Sequence, residues 1–75
     1  MIKRLDMLCR GESGRVYRMS TEGGMRRRFM DMGLTEGAAV ECVGISPLGD
    51  PKAYGIRGAV VAIRREDSAG IEIEV

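Results

Sequence analysis

Apolar and polar residues alternate in several short segments of the chain, a spacing typical of β-strands that bury one face. The cleanest case is Ile71-Glu72-Ile73-Glu74-Val75, in which every second residue is apolar. Tyr54 and Ile56 share one face of a similar segment, and Gly58 separates that segment from another apolar one. A turn or short helix is expected over residues 65–69. The pattern therefore predicts three strands in the C-terminal half, over residues 52–57, 59–64 and 71–75.

Two further strands are predicted nearer the N-terminus. Residues 15–19 form the first of them, with Val16 as its expected core residue. Residues 39–45 form the second, but their apolar side chains do not alternate cleanly. Either both faces of this strand are covered, or Gly44 marks a bulge that shifts the alternation. The apolar pair Leu5 and Leu8 is expected on an N-terminal turn that packs inward.

One segment has the periodicity of a helix instead. Met25, Phe29 and Met32 recur at the i, i+4, i+7 spacing of one buried helical face, which predicts a helix over residues 25–32. Gly33 follows as a residue that can take the left-handed conformation ending a helix, and Leu34 can fold its side chain back on the last turn. A second sharp turn is then expected at the next glycine, Gly37.

These elements together predict a mainly β protein with about five short strands and one short α-helix. A chain of 75 residues is expected to form a single small domain around one core. So many short strands in so few residues favour a small closed barrel, because closure removes the exposed edges of a sheet.

Charge is unevenly distributed along the chain, although its formal net value is only +1. Residues 1–28 carry eight Lys or Arg against three acids, a net charge of +5, and residues 29–75 carry four against eight, a net charge of −4. Two interpretations follow. The two halves neutralise each other in the folded protein, or the basic N-terminal third offers a patch to an acidic partner.

The predicted helix carries the strongest candidates for such a patch. Arg26 and Arg27 lie in a triple arginine, and Arg27 is spaced to pair with Asp31 one turn later. The triplet is a weak nucleic-acid signal, because few aromatic residues are present to stack on bases. Met30 lies about 140° around the helix from Met25 and is therefore off the core face. It is either covered by neighbouring loops or exposed as a flexible contact residue.

Catalytic and metal-binding chemistry find little support. The chain has no histidine, and its two cysteines, Cys9 and Cys42, are far apart in sequence and lack the paired spacing of structural zinc sites. Cys42 is expected to be a small core residue. Phosphate-binding glycine loops are absent, and the adjacent Glu66 and Asp67 are most simply solvated turn carboxylates. We therefore expect no catalytic residue, no cofactor and no metal.

The N-terminal segment lacks the apolar run of a signal peptide, and no segment has the roughly 20 apolar residues that span a bilayer. Together with the sparse cysteines, these features are typical of a soluble cytoplasmic protein with reduced thiols.

Several motifs resemble those of the FeoA family, small proteins of bacterial ferrous iron uptake. The most specific are Arg27-Arg28-Phe29-Met30-Asp31-Met32-Gly33-Leu34, Pro47-Leu48-Gly49-Asp50-Pro51, and Arg57-Gly58 followed by Ala62-Ile63-Arg64-Arg65. The resemblance covers residues 5–75 and implies one FeoA-like domain over 1–75 with an SH3-like barrel fold.

The resemblance also implies a function. It points to a non-enzymatic, cytoplasmic accessory protein that binds FeoB, the membrane transporter of ferrous iron, and so reaches the membrane only through that partner. No nucleic acid is expected to bind. The expected contact residues are Arg26, Arg27 and Met30 on the helix, with Leu48 and Asp50 in the loop over residues 47–51. The alternative is a free-standing barrel related to the C-terminal domain of iron-dependent repressors, with regulatory or nucleic-acid contacts.

Overall fold

The computed structural model describes residues 1–75 and contains one antiparallel sheet covered by short helices. Its strands follow the order β1-β6-β2-β3-β4-β5 across the sheet. A 3-10 turn at Leu5–Met7 follows the first strand. The helices are α1, Gly23–Met32, and α2, Arg65–Ser68. The strands are β1 Ile2–Arg4, β2 Ser13–Met19, β3 Ala39–Ile45, β4 Lys52–Ile56, β5 Ala59–Ile63 and β6 Ile71–Glu74.

All five predicted strands are present, and the mainly β fold is confirmed. The structure adds the short strand β1, which pairs with β6. In β3 the pairing with β4 shifts register between Cys42 and Gly44, so the bulge is confirmed. Val43 and Ile45 are exposed, and the alternative in which both faces of β3 are covered is therefore wrong.

One face of the sheet, together with α1 and the 3-10 turn, encloses a core of 12 buried apolar residues. Phe29 is fully buried in it, and Met25 and Met32 pack against it, as the helical spacing predicts. Leu5 and Leu8 are also buried, which confirms the inward-packing N-terminal turn. Burying a large apolar side chain of this kind stabilises the fold by roughly 1.5–3 kcal/mol.

The C-terminus of α1 ends as its sequence predicts. Gly33 has a φ of 100°, in the left-handed region, and its N–H donates to the carbonyl of Met30 at 3.0 Å. The N–H of Leu34 donates to the carbonyl of Phe29 at 2.9 Å, and the Leu34 side chain is buried. This pair of hydrogen bonds satisfies carbonyls that the helix itself leaves free.

Polar contacts, one buried and two partly buried, hold the 3-10 turn to β4. The Tyr54 hydroxyl donates to the carbonyl of Leu5 at 3.2 Å. Lys52 Nζ donates to the carbonyls of Asp6 and Leu8 at 2.7 and 2.9 Å. Burial raises the pKa of Tyr54 to about 12, because the charged phenolate is poorly solvated there. The end of the loop over residues 46–51 is held next to this cluster, since Lys52 follows it directly.

The sheet is not closed into a continuous ring by hydrogen bonds. β1 and β5 lie at its two ends and do not pair with each other, so the expected closure is incomplete. β5 is joined to β4 by the turn Arg57-Gly58, in which φ is 50° and 80°. Positive φ at both residues is typical of a two-residue type I′ hairpin. The free edge of β5 therefore remains open beside α1.

Candidate partner-binding surface

The exposed side of α1 carries three of the five predicted contact residues, Arg26, Arg27 and Met30. Because Phe29 points into the core, the neighbouring positions of the helix face outward. Met30 is 46% exposed, so neighbouring loops do not cover it. It lines two recesses of about 360 Å³, one shared with Leu34 and the other with Arg27. An exposed thioether between such recesses suits a contact with another protein.

Arg26 is the cation of this surface that the fold holds in place. Its Nη1 donates to the carbonyls of Met19 and Thr21 at 3.2 and 3.4 Å. These bonds tie the first turn of α1 to the end of β2, while the side chain stays exposed. A cation fixed in this way loses less conformational entropy on binding an acidic group than a free side chain would.

Arg27 has no ion-pair partner, and the pair with Asp31 that its spacing allows is not formed. The three ion pairs of the protein lie elsewhere and join Lys3 to Glu12, Arg4 to Asp6 and Arg18 to Glu72. An exposed helical pair contributes only roughly 0.2–0.5 kcal/mol, so its absence is not unusual.

The ion pairs also bear on the uneven charge of the chain. Only the Arg18–Glu72 pair, at 2.7 Å, joins the basic N-terminal third to the acidic remainder. The Lys3–Glu12 pair, at 2.8 Å, lies within residues 1–28. Its hydrogen bond lowers the pKa of Glu12 and raises that of Lys3. Since none of the three pairs involves an arginine of α1, that helix keeps a cluster of unpaired positive charge.

The loop over residues 46–51 forms a separate patch. Leu48 is 92% exposed, the highest exposure of any large apolar side chain in the protein. Asp50 has a structural role, because its Oδ1 accepts the backbone N–H of Arg65 at 2.8 Å, at the start of α2. No recess is lined by residues of both this loop and the Met30 face of α1. The five predicted residues therefore lie on two patches.

A groove between α1 and β5 was not predicted from the sequence. Five of its eight lining residues are apolar, and the other three are the charged residues Arg28, Arg64 and Asp67. The resemblance motifs contain Arg28 and Arg64, but they lie far apart in the chain and their convergence depends on how α1 packs. The one sequence feature that points to this groove is the position of Arg28 beside the buried face of the helix formed by Met25, Phe29 and Met32.

The side chains that could hold a metal ion are not grouped together. No three His, Cys, Asp or Glu side chains are arranged to hold a metal ion. Cys9 is exposed, whereas Cys42 is fully buried in the core, which confirms the prediction for Cys42. No helix has the length and apolar character that crossing a membrane would require. What this surface can do chemically is bind, through unpaired cations and an exposed methionine.

Comparison with known proteins gives a family match over nearly the whole chain. The model of the family described as FeoA domain matches residues 3–75. An Fe(2+) transport protein A/Fe(2+) transporter FeoB fusion protein of Porphyromonas gingivalis is 38% identical over 72 residues, which are 96% of this chain. The chain spans only 8% of the length of that fusion protein.

Solved structures agree on the fold. The solution structure of a FeoA protein from Chlorobium tepidum is 32% identical, with a TM-score of 0.86 over 97% of this chain and 71% of that one. A Stenotrophomonas maltophilia FeoA, described as a procaryotic SH3 domain protein, has a TM-score of 0.83 at 20% identity, over 99% of this chain and 89% of that one. T. acidophilum IdeR has a TM-score of 0.86 at 17% identity, over 99% of this chain but 34% of that one. The last two matches show a shared SH3-like fold alone.

Proposed function

The chain belongs to the FeoA family, and on that premise we propose that it is a non-enzymatic accessory protein of bacterial ferrous iron uptake. It acts in the cytoplasm by binding a FeoB-type transporter and modulating it. The Porphyromonas gingivalis protein supports this partner, because its name joins both kinds of protein in one chain. Fusion of two modules raises their effective concentration for each other, which is useful only where the modules make contact.

The observation that carries the proposal is the composition of the exposed side of α1. Met30 stands out of the core between two recesses, and Arg26 and Arg27 beside it belong to no ion pair. Unpaired cations speed the approach of an acidic partner, while a desolvated apolar side chain slows its release. Leu48 and Asp50 form a second candidate contact on the separate loop over residues 46–51.

Capture of the transporter's cytoplasmic portion by the immobilised chain tests the proposal. We expect the wild-type chain to retain that portion and Met30→Glu to lose it. Met7→Glu is the matched control, because Met7 is also exposed, at 53%, but lies on the 3-10 turn. Retention by Met30→Glu at the wild-type level would remove α1 from the contact. Absence of capture by the wild-type chain would contradict the proposed partner.

A second function is favoured by the fold shared with IdeR and by the unpaired arginines of α1. In this alternative the free-standing barrel makes regulatory or nucleic-acid contacts. The same preparation titrated with duplex DNA separates the two functions. Affinity that falls steeply as salt is raised would favour nucleic-acid binding, because each neutralised phosphate releases counterions. We expect no saturable duplex binding at physiological salt.

A further inference from the structure

β5 is an edge strand whose outer backbone groups have no partner. β4 is its only neighbour in the sheet, with Ile56 opposite Ala59 and Tyr54 opposite Val61. In an antiparallel hairpin closed by a two-residue turn, alternate residues bond across the pair. Val60 and Ala62 therefore direct their N–H and C=O groups away from β4. None of the 17 backbone hydrogen bonds outside the regular helices and strands uses these groups.

The edge is also accessible and lacks the usual protection. Val60 is 70% exposed, and Ala59 and Ala62 are exposed as well. Natural edge strands are commonly protected from pairing by lysine, proline or an inward-pointing charge. The sequence Ala-Val-Val-Ala-Ile of β5 contains none of these. An open, uncharged edge of this kind is the template to which an extended segment of another protein adds as a strand.

The groove beside β5 offers room for the side chains of such a segment. It measures about 360 Å³ and lies between α1 and the end of β5. Met25, Phe29 and Met32 line its helical wall, and Ala62 and Ile63 line its strand wall. Because side chains alternate between the two faces of a strand, every second one on an added strand would enter the groove.

The charged residues that line the groove favour an acidic segment as its occupant. Arg28 and Arg64 line the groove and belong to no ion pair, and Asp67 is the one acid that lines it. An acidic segment would meet these cations favourably. A second copy fits less well, because antiparallel pairing of β5 with itself would set Arg57 of each copy against Arg64 and Arg65 of the other.

We propose that an extended segment of a partner protein, apolar at alternate positions and acidic between or beside them, adds as an antiparallel or parallel strand to the free edge of β5. Its backbone bonds Val60 and Ala62, its apolar side chains fill the groove, and its carboxylates meet Arg28 and Arg64. The inference rests on the proposed function only in assigning the segment to the transporter.

The binding of designed peptides to the isotope-labelled full chain, followed by amide NMR, tests this inference. The probe is a capped peptide of the length of β5 in which valine and glutamate alternate. The comparison peptide carries lysine in place of glutamate. We expect saturable shifts at Val60, Ala62 and the groove, and roughly tenfold weaker binding of the lysine peptide.

Two variants locate the site. Val60→Pro removes an N–H that β4 does not use, so the hairpin should persist while peptide binding is lost. The double variant Arg28→Glu/Arg64→Glu should reverse the preference between the two peptides without touching the edge. Arg10→Glu is its control, because Arg10 is exposed and does not line the groove.

Shifts confined to other parts of the protein, or equal binding by Val60→Pro in its folded state, would overturn the inference. Concentration-dependent shifts at Val60 and Ala62 without peptide would also overturn it, since a second copy would then occupy the edge. Capture of the transporter portion by Val60→Pro at the wild-type level would contradict the assignment of the segment to the transporter and leave the proposed function intact. Peptide binding without capture of the transporter portion would contradict the proposed function and leave the inference about the edge of β5 intact.

Discussion

Gly33 has a backbone conformation that favours glycine, and it lies close to the Arg57 side chain. Its φ of 100° lies where side chains are strained, and a Cβ at this position would come within 2.6 Å of Arg57 Cδ. The Arg57 side chain thus packs over the end of α1 and links the helix to the β4–β5 turn. Both the helix stop and this contact depend on the absence of a side chain.

We therefore expect Gly33→Val to lower the free energy of unfolding by about 1–2 kcal/mol from backbone strain alone. Adding Arg57→Ala to the Gly33→Val variant should remove the steric contact with the Arg57 side chain, whereas the backbone strain should remain. Denaturant unfolding measures both effects. Gly24→Ala is the control, because a Cβ at Gly24 meets nothing within 4 Å, and it should stabilise the helix by roughly 0.5–1 kcal/mol. An unchanged midpoint for Gly33→Val would show that the helix does not end in this way.

Tyr54 gives the fold a defined response to alkaline pH. Its phenol is buried, and the pKa of about 12 exceeds the value of roughly 10 for an exposed tyrosine. The folded protein therefore holds this proton more tightly than the unfolded chain does. Stability from this group is fully present below the unfolded pKa and is lost as pH rises from there towards about 12.

Ultraviolet titration of the Tyr17→Phe variant measures this pKa, because Tyr54 is then the only tyrosine of the chain. We expect tyrosinate absorbance to rise with a midpoint near 12, or abruptly where alkaline unfolding precedes it. A midpoint at the ordinary value in a protein that remains folded would contradict the burial of the hydroxyl.

At this scale the sequence predicts local roles well and distant contacts poorly. The helix stop at Gly33 and the core position of Cys42 depend on near neighbours, and both predictions are confirmed. Asp50 is different. Its hydrogen bond to the N–H of Arg65 joins residues 15 positions apart, and no spacing rule in a single sequence identifies such a partner.

Among the elements, α1 is the one that divides core from surface. Phe29 is 2% exposed and the adjacent Met30 is 46% exposed, so one residue step separates the two roles. This division explains how a helix of 10 residues can both complete the core and present a binding face.

Substitution of the two adjacent residues tests the division. Phe29→Ala should cost about 3–5 kcal/mol of unfolding free energy, because it leaves a cavity in the core. Met30→Glu should change the same quantity by less than about 0.5 kcal/mol, as is usual for surface substitutions. Chemical denaturation of both variants measures the difference. Unfolding of Met30→Glu would place Met30 in the core, since burial of a carboxylate is costly.

Predictability also varies between elements. β6 was predicted because its apolar residues alternate, whereas β1 was missed because Ile2-Lys3-Arg4 shows no alternation. β1 exists through its pairing with β6, in which Ile2 lies opposite Glu74. The start of α1 was placed two residues late, at Met25, because Gly23 and Gly24 are typical of a loop. Gly23 keeps a left-handed φ of 67°, so the regular helical conformation begins only after it.

For the whole molecule, the absence of a clustered ligand set predicts a fold that is stable without metal. The groups that could hold an ion are dispersed, and Cys42 is enclosed by the core. We expect the same midpoint of thermal unfolding with and without a chelator. Metal that binds only the folded state must stabilise it, so a large drop of the midpoint in chelator would contradict this prediction.

The sequence does not predict that the sheet is open, because its pattern favours a closed barrel. The strand count correctly indicates an SH3-like fold, but the pairing of the two end strands depends on how the sheet twists and curls. Because β1 and β5 remain apart, the molecule keeps a free edge beside the groove. Two of the candidate surfaces therefore share α1, with Met30 on one side of the helix and the groove on the other.

The rate of ferrous iron uptake tests most directly whether the chain supports the transporter through α1. The measurement uses cells in which the gene for this chain has been deleted. The wild type, Met30→Glu or Met7→Glu is then expressed in these cells at equal protein levels. We predict that the wild type and Met7→Glu restore uptake and that Met30→Glu, although folded, does not. Full uptake with Met30→Glu, or unchanged uptake on deletion of the chain, would contradict the account.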